Sequence, residues 1–319
     1  MILVLINTMA QTTTDPGHED PMTVLVSNRT VTLHVTVHSP PQENEKKATV
    51  LLLHGGPGVP NAYVDVVQVL TPQYQVLTFE QRGTGMSSNP SGDYSMEGYI
   101  SDINAIATHF SLERFHLWGH SWGGLYAQIY AQEHPDKLLS LFLSSPSSGT
   151  NDLWEQTEKE VFAWNRKHCA SDWEFLKMGW YSLLGALWKS DAAYQSLFVI
   201  VYQNYNRKYT KAFPTTITHE HVQGVRAAPV HDTRPFIVQY KPLDTMEHAS
   251  FPITITYGDG DIYGPSKDAV PLRYPTAKFI EIENCGHIPW WHNPSTVSYT
   301  HLRAHETKAN LVCRLLLEK

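Results

Sequence analysis

The chain has 319 residues, 42% hydrophobic and 17% charged, a balance that suits one folded domain with an insertion and not a disordered or fibrous chain. Its formal net charge of −7 argues against a nucleic-acid partner, which would need a broad basic surface. No apolar run approaches the ~20 residues that span a bilayer, and three cysteines (Cys169, Cys285, Cys313) give no disulfide framework, so a reducing, cytoplasmic setting is expected.

Residues 1–21 carry a short apolar start without basic flanks, then a polar stretch with Pro16, Gly17 and Pro21. They read as a disordered extension and not as a signal peptide. Residues 22–28 and 31–38 alternate as two strands of an opening hairpin, and 40–47 make a polar turn. A strand at 49–53 runs into His54-Gly55-Gly56-Pro57-Gly58. Residues 63–70 read as a helix and 75–79 as a strand leading into the Glu80–Ser87 loop. A helix over 99–110 places Ile100, Ile103, Ile106 and Ala107 on one face. Residues 115–118 form a buried strand, 119–124 read Gly-His-Ser-Trp-Gly-Gly, and 125–131 have helical spacing. A strand at 138–143 closes this first part of the core, 22–146.

From 147 to 249 the pattern becomes helical and rich in aromatics, including Trp154, Trp164, Trp173, Trp180, Trp188, Tyr194 and Tyr202. This segment is expected to be a helical cap, with most aromatics packing it onto the core and a minority lining a pocket beneath it. His219, Glu220, His221 and His231 match no zinc spacing well, so no metal site is expected there. Strands at 253–257 and 277–282 resume the core in 250–296, ending in Gly258-Asp259-Gly260-Asp261 and Asn284-Cys285-Gly286-His287. Alternating strands and helices imply an α/β fold, a mostly parallel, doubly wound sheet covered on both faces.

The chemistry is concentrated at strand ends. Strand, Gly-x-Ser-x-Gly, helix is a nucleophile elbow, in which a sharp turn exposes the Ser121 hydroxyl and leaves no room for a Cβ on either side. The order Ser121, Asp261, His287 is that of the α/β-hydrolase fold. In that reading His287 takes the Ser121 proton and Asp261 orients His287. Asp259 is a rival acid, but the spacing of glycine, two residues, then aspartate selects Asp261. Backbone N–H groups of Gly56 and Trp122 are expected to form an oxyanion hole. His54, Gly55, Pro57, Gly58, Arg82 and His120 are expected to brace the loops. Cys285 is not expected to act, since Ser121 already occupies the elbow.

His54 to Gly58, Glu80 to Ser87, Gly119 to Gly124, Gly258 to Asp261 and Gly286-His287 together resemble the proline iminopeptidase branch of the α/β-hydrolases, across most of 49–294. The resemblance implies a serine hydrolase, with no cofactor, whose helical cap is inserted after the strand that follows the nucleophile helix. It also implies cleavage of an amide next to a free amino terminus. Three positions depart from the usual pattern: Glu80 stands for an aspartate, His292 for a glutamate, and Ile262 where some members place a glutamate that helps hold the substrate ammonium. An aminopeptidase or amidase is therefore ranked first, a carboxylesterase on small acyl esters second, and a non-catalytic ligand-binding relative third. An aminopeptidase should carry a cap carboxylate over Ser121, from Glu155, Glu158, Glu160, Glu174, Glu220, Glu247 or Asp232. The partner expected is a small peptide, amide or ester, with neither nucleic acid nor membrane.

Residues 297–307 back-translate in one frame to the transposon end and adapter of a common sequencing library, and 310–319 continue as the outer adapter beyond a short barcode. The tail 297–319 therefore reads as an artefact, with native sequence ending near Thr296 and the core's closing helix missing.

Overall fold

The apolar runs resolve into β1 (Met22–Asn28), β2 (Val31–His38), β3 (Thr49–Leu53), β4 (Gln75–Phe79), β5 (Phe115–His120), β6 (Leu138–Ser144), β7 (Ile253–Gly258) and β8 (Lys278–Ile282). This computed structural model describes residues 21–38, 48–59, 63–212 and 215–295. The expected extension, the 40–47 turn and the 297–319 tail lie outside the described residues, apart from Pro21 in the first.

The strands form one sheet in the order β1-β2-β4-β3-β5-β6-β7-β8. β1 pairs antiparallel with β2, and β2 antiparallel with β4. All further pairings are parallel. β1 lies at the edge and is largely exposed, whereas β3, β5 and β7 are buried at every residue. Burial on both faces is why β3 reads as a nearly continuous apolar run.

Helices α1 (Val64–Leu70), α2 (Met96–His109), α3 (Trp122–Glu133), α9 (Ala269–Arg273) and α10 (Pro289–His292) accompany the strands. α2 begins three residues before the expected 99, because Ser95 caps it by accepting from the Gly98 N–H. Its face of Ile100, Ile103, Ile106 and Ala107 is buried. α3 begins at Trp122, directly after the nucleophile candidate, and not at 125. Its interior position, with ten consecutive buried residues from Trp122 to Ala131, removes the amphipathic signal that would mark its start.

Between β6 and β7 the chain forms α4 (Asp152–His168), α5 (Asp172–Trp188), α6 (Asp191–Asn206), α7 (Ala227–Asp232) and α8 (Arg234–Gln239), with no strand among the described residues. Four of the seven aromatics named above pack against buried clusters, Tyr194 among them, whereas the three on α5 do not. Trp173, Trp180 and Trp188 are 66%, 58% and 68% exposed, because α5 packs on α6 and turns this stripe outward. Trp154, Trp164 and Tyr202 do pack against the core cluster.

β3 pairs with both β4 and β5, so the chain leaves it toward one side of the sheet first and later toward the other. Such a reversal opens a crevice at the carboxyl ends of the two central strands. The loops after β3, β5, β7 and β8 all emerge at carboxyl ends, and they carry the residues singled out above.

Candidate active site

Ser121 has φ 55° and ψ −122°, a left-handed conformation rare outside glycine. The positions around it must be glycine because of close approach. A Cβ on Gly119 would sit 2.3 Å from the Gly123 carbonyl oxygen, and one on Gly123 2.3 Å from the Leu53 carbonyl oxygen. The turn is clamped further by Ser121 N–H donating to the Ser144 carbonyl at 3.2 Å, while its own carbonyl accepts from Gly124, Leu125 and Ser147. Sequence local to the elbow thus makes the turn possible, and β3 and β6 packed around it hold the strain.

Ser121 Oγ lies 3.0 Å from His287 Nε2, and His287 Nδ1 lies 3.0 Å from Asp261 Oδ1. These three residues come from the loops after β5, β8 and β7. Burial alone would push the Asp261 carboxyl up, but the charge and hydrogen bond of His287 outweigh it and hold the group below the ordinary aspartate range. The rival Asp259 faces elsewhere. Its two carboxylate oxygens accept from the N–H groups of Asn284 and Cys285 at 3.0 Å each, so it shapes the loop that carries His287.

The glycine loop after β3 is tied to the elbow by two chains of hydrogen bonds. The Gln81 N–H donates to His54 Nε2 at 3.0 Å, the Gln81 amide donates to the His54 carbonyl at 2.8 Å, and Trp122 Nε1 donates to Gln81 Oε1 at 2.9 Å. Burial holds His54 neutral, lowering its pKa to about 4. In the second chain the Gly55 N–H donates to the Tyr63 hydroxyl at 2.7 Å, and Tyr63 meets His120 Nδ1 at 2.9 Å. His120 Nε2 donates to the His287 carbonyl at 2.8 Å. A carbonyl only accepts, so His120 Nε2 carries the proton and Tyr63 donates to Nδ1.

Gly56 and Gly58 have φ +47° and +77°, and a Cβ on Gly58 would sit 2.7 Å from the Arg226 carbonyl oxygen. Arg226 N–H in turn donates to the Gly58 carbonyl at 3.0 Å, which joins this loop to the α4–α8 segment. Gly56 flanks Ser121 in the cavities described below, and Trp122 is the first residue of α3, whose N–H has no acceptor within the helix. Arg82 is buried in the next loop. Its Nε and Nη2 meet the Asp102 carboxylate of α2 at 2.8 and 3.0 Å, and its Nη1 donates to the Asp93 carbonyl at 2.7 Å.

Two cavities meet at Ser121 and Gly56. A small one of about 70 Å³ lies on the His287 side, against Tyr63, Tyr202, Ile288 and Trp290. A large one of about 820 Å³ opens under α4, α5 and α6, where Trp154, Phe162, Phe175, Leu176, Phe198 and Val230 form its apolar walls. Glu158 is the one charged side chain lining it among the described residues, and it already receives Arg234 Nε at 2.7 Å and Nη2 at 2.8 Å.

The other carboxylates considered for this role are engaged or lie elsewhere. Asp232 pairs with Lys189 at 2.6 Å, Glu174 with Arg207 at 2.7 Å, and Glu160 accepts from Gly264 and Ser266. Glu155, Glu220 and Glu247 are absent from the lining of both cavities. His219, Glu220, His221 and His231 do not converge: His221 caps Thr218, and His231 bonds Asp232 at 2.9 Å. No group of three metal-ligating side chains occurs among the described residues.

Residues 48–294 match the family model for the alpha/beta hydrolase fold. The chain belongs to the α/β-hydrolase family. It is 36% identical over 120 residues to a proline iminopeptidase of Lactobacillus helveticus, covering 36% of this chain and spanning only 40% of that relative. A proline iminopeptidase of Lactobacillus delbrueckii subsp. bulgaricus is 27% identical over 263 residues, covering 78% of this chain and 86% of the relative. Among solved structures, a thermophilic esterase from Thermogutta terrifontis superposes with TM-score 0.62 at 18% identity, covering 91% of this chain and all of the esterase, a likeness of fold. Among the described residues no helix is long and apolar enough to cross a membrane.

Sequence reading missed three residues that complete the site. Tyr263 lies 3.0 Å from Ser121 Oγ, Tyr63 joins the glycine loop to His120, and Tyr205 stands edge-on to the His287 ring at 5.4 Å. Only Tyr263 carried a signal, being two residues past Asp261 on the same loop.

Proposed function

We propose that this hydrolase is a serine hydrolase working through Ser121, His287 and Asp261. The observation that carries the reading is the unbroken hydrogen-bonded chain from Asp261 Oδ1 through His287 to Ser121 Oγ, with both links at 3.0 Å. Ser121 Oγ attacks the substrate carbonyl carbon as His287 Nε2 takes its proton, and the carbonyl π pair moves onto oxygen. The N–H groups of Gly56 and Trp122 receive that oxyanion, each contributing about 3 kcal/mol. His287 then gives its proton to the departing alcohol or amine, leaving Ser121 acylated. Water repeats the sequence in reverse and releases the acid. Helices α4 to α8 act as the cap that roofs the acyl site and keeps bulk water from it.

The substrate we favour is an ester or amide with a large apolar acyl group and no free ammonium. A site of about 820 Å³ suits a bulky group, and Glu158, the one carboxylate lining it among the described residues, is already paired with Arg234. A desolvated ammonium would need a charge partner of its own. The leaving group faces the small cavity beside its proton donor, His287. An aminopeptidase of proline iminopeptidase type is the second reading, supported by the curated relatives and by Glu158, should Arg234 release it.

A panel of p-nitrophenyl esters and of proline and alanine arylamides, free and N-acetylated, decides between them. Esters with long or aromatic acyl groups are expected to exceed acetate in kcat/KM, with acetylation of the arylamides making no difference. Cleavage confined to free-amine arylamides would select the peptidase. Ser121→Ala is expected to abolish whichever activity is found.

A further inference from the structure

Tyr263 touches every member of the Ser121–His287–Asp261 chain. Its N–H donates to Asp261 Oδ1 at 3.2 Å, and its ring stands edge-on to the His287 ring at 5.0 Å and 79°. Its hydroxyl lies 3.0 Å from Ser121 Oγ and 2.7 Å from Ser147 Oγ. Tyr263 is 5% exposed and Ser147 2%.

The proton direction along this chain follows from its end. An ionised Asp261 can only accept, so His287 Nδ1 donates to it and a neutral His287 Nε2 must accept. Ser121 therefore spends its one proton on His287. Its Oγ can then only accept from Tyr263, and the Tyr263 oxygen accepts from Ser147 in turn. Burial pushes the Tyr263 phenol above its ordinary value, so it remains a donor throughout the working pH range.

We propose that Tyr263 is a further catalytic residue, its hydroxyl donating to Ser121 Oγ and thereby assisting the step in which Ser121 is expelled, with Ser147 holding it in that direction. The proposal rests on the serine-hydrolase reading. In deacylation, water adds to the acyl carbon and passes a proton to His287. The C–Oγ bond then breaks, its electron pair returns to Oγ, and His287 gives the proton to Oγ. Oγ enters deacylation as an ester oxygen, a poor acceptor, and leaves the tetrahedral adduct as an alkoxide-like group, a strong one. A donor aimed at it therefore gains most here. In acylation Oγ starts as a hydroxyl that already accepts this bond well, so the gain is smaller. No proton leaves Tyr263 in either step.

Tyr263→Phe and Ser147→Ala are compared with the parent enzyme on p-nitrophenyl butyrate. Steady-state rates, pre-steady-state bursts and intact-mass detection of the acyl-enzyme are recorded, with active sites counted by fluorophosphonate labelling. Tyr263→Phe is expected to lower kcat about 10-fold and KM alongside it, leaving kcat/KM within about 3-fold and letting acyl-enzyme accumulate. Ser147→Ala, which keeps the tyrosine and serves where the first variant does not fold, is expected to shift the same quantities in the same direction by less. Parallel loss of kcat and kcat/KM, an unchanged kcat, or a parent enzyme that never acylates would each overturn the proposal. Turnover surviving in Ser121→Ala would sink the serine-hydrolase reading itself. A dead Ser121→Ala beside an unaffected Tyr263→Phe would sink only the role of Tyr263.

Discussion

In the proposed mechanism Ser121 carries two burdens that mutation can separate: a nucleophilic hydroxyl and a backbone at φ 55°. Ser121→Ala removes the hydroxyl and keeps the strain, so turnover should fall roughly a million-fold with little change in stability. Ser121→Gly removes both. Relief of about 1–3 kcal/mol of strain, less the added freedom of the unfolded chain, should leave it about 1 kcal/mol more stable than Ser121→Ala in urea melts. Equal melts would mean that the turn is not strained. The two aspartates offer a second contrast. Asp261→Asn should lower kcat roughly 10⁴-fold, because an amide cannot stabilise the imidazolium and favours the wrong tautomer. Asp259→Asn should cost far less, since Asp259 accepts from the N–H groups of Asn284 and Cys285, whereas His287 Nδ1 lies against Asp261. The opposite ranking in kcat would reverse the assignment of the acid.

Among the elements, α2 is tied to the loop after β4 by one buried ion pair in addition to its buried apolar face. Asp102 takes two hydrogen bonds from Arg82 and a third from Asn28 at 2.8 Å, which counter only part of the desolvation, so burial still leaves its pKa raised. Asp102→Ala would remove the main partner of the buried Arg82 charge, leaving it the longer contact to Asp93 at 3.4 Å, at a cost of up to about 3–5 kcal/mol. Denaturant midpoints would register that loss, and midpoints unchanged from the parent would mean that α2 is held by its apolar face alone. The motif around Arg82 was legible in sequence as a loop brace. Its partner was not, because Asp102 lies 20 residues away on a helix whose polar face looks like any solvated one. The outward stripe of α5 is not legible in sequence for a related reason. Tryptophan at helical spacing signals burial, but the face that is covered depends on where α6 lies.

For the whole molecule, three buried histidines set an acid limit. Burial lowers the pKa of His54 and His116 to about 4 each and that of His292 to about 3. His292 accepts from the Gly286 N–H at 3.0 Å and bonds Asn206 Oδ1 at 2.7 Å, a pattern that needs the neutral ring. Above pH about 6.5 these imidazoles are neutral in both folded and unfolded chains, and pH has no leverage through them. Between about 6.5 and about 4 the unfolded chain binds protons that the native one refuses, so stability falls as pH falls. The limiting slope is about 1.4 kcal/mol per pH unit for each group, or about 4 for all three. Urea titrations at pH 7 and pH 5 should show the loss, and equal stability at the two values would contradict it.

The amino-acid sequence by itself determined the order of elements, the elbow at Gly119 to Gly124, the glycine loop at His54 to Gly58, and the strand ends at which Asp261 and His287 stand. Those features are local: a turn that excludes Cβ atoms, or an apolar run flanked by glycine, is written in consecutive residues. Tertiary structure alone decided what lies between them. The hydroxyl of Tyr263 beside Ser121 and the Tyr63–His120 link to His287 depend on how the loops at the ends of β3, β5, β7 and β8 meet, and the pairing of Glu158 with Arg234 across 76 residues depends on how the insertion between β6 and β7 folds. A side chain's spacing tells which face of its own element it occupies, whereas its partner across the cavity is fixed by packing between elements distant in the chain.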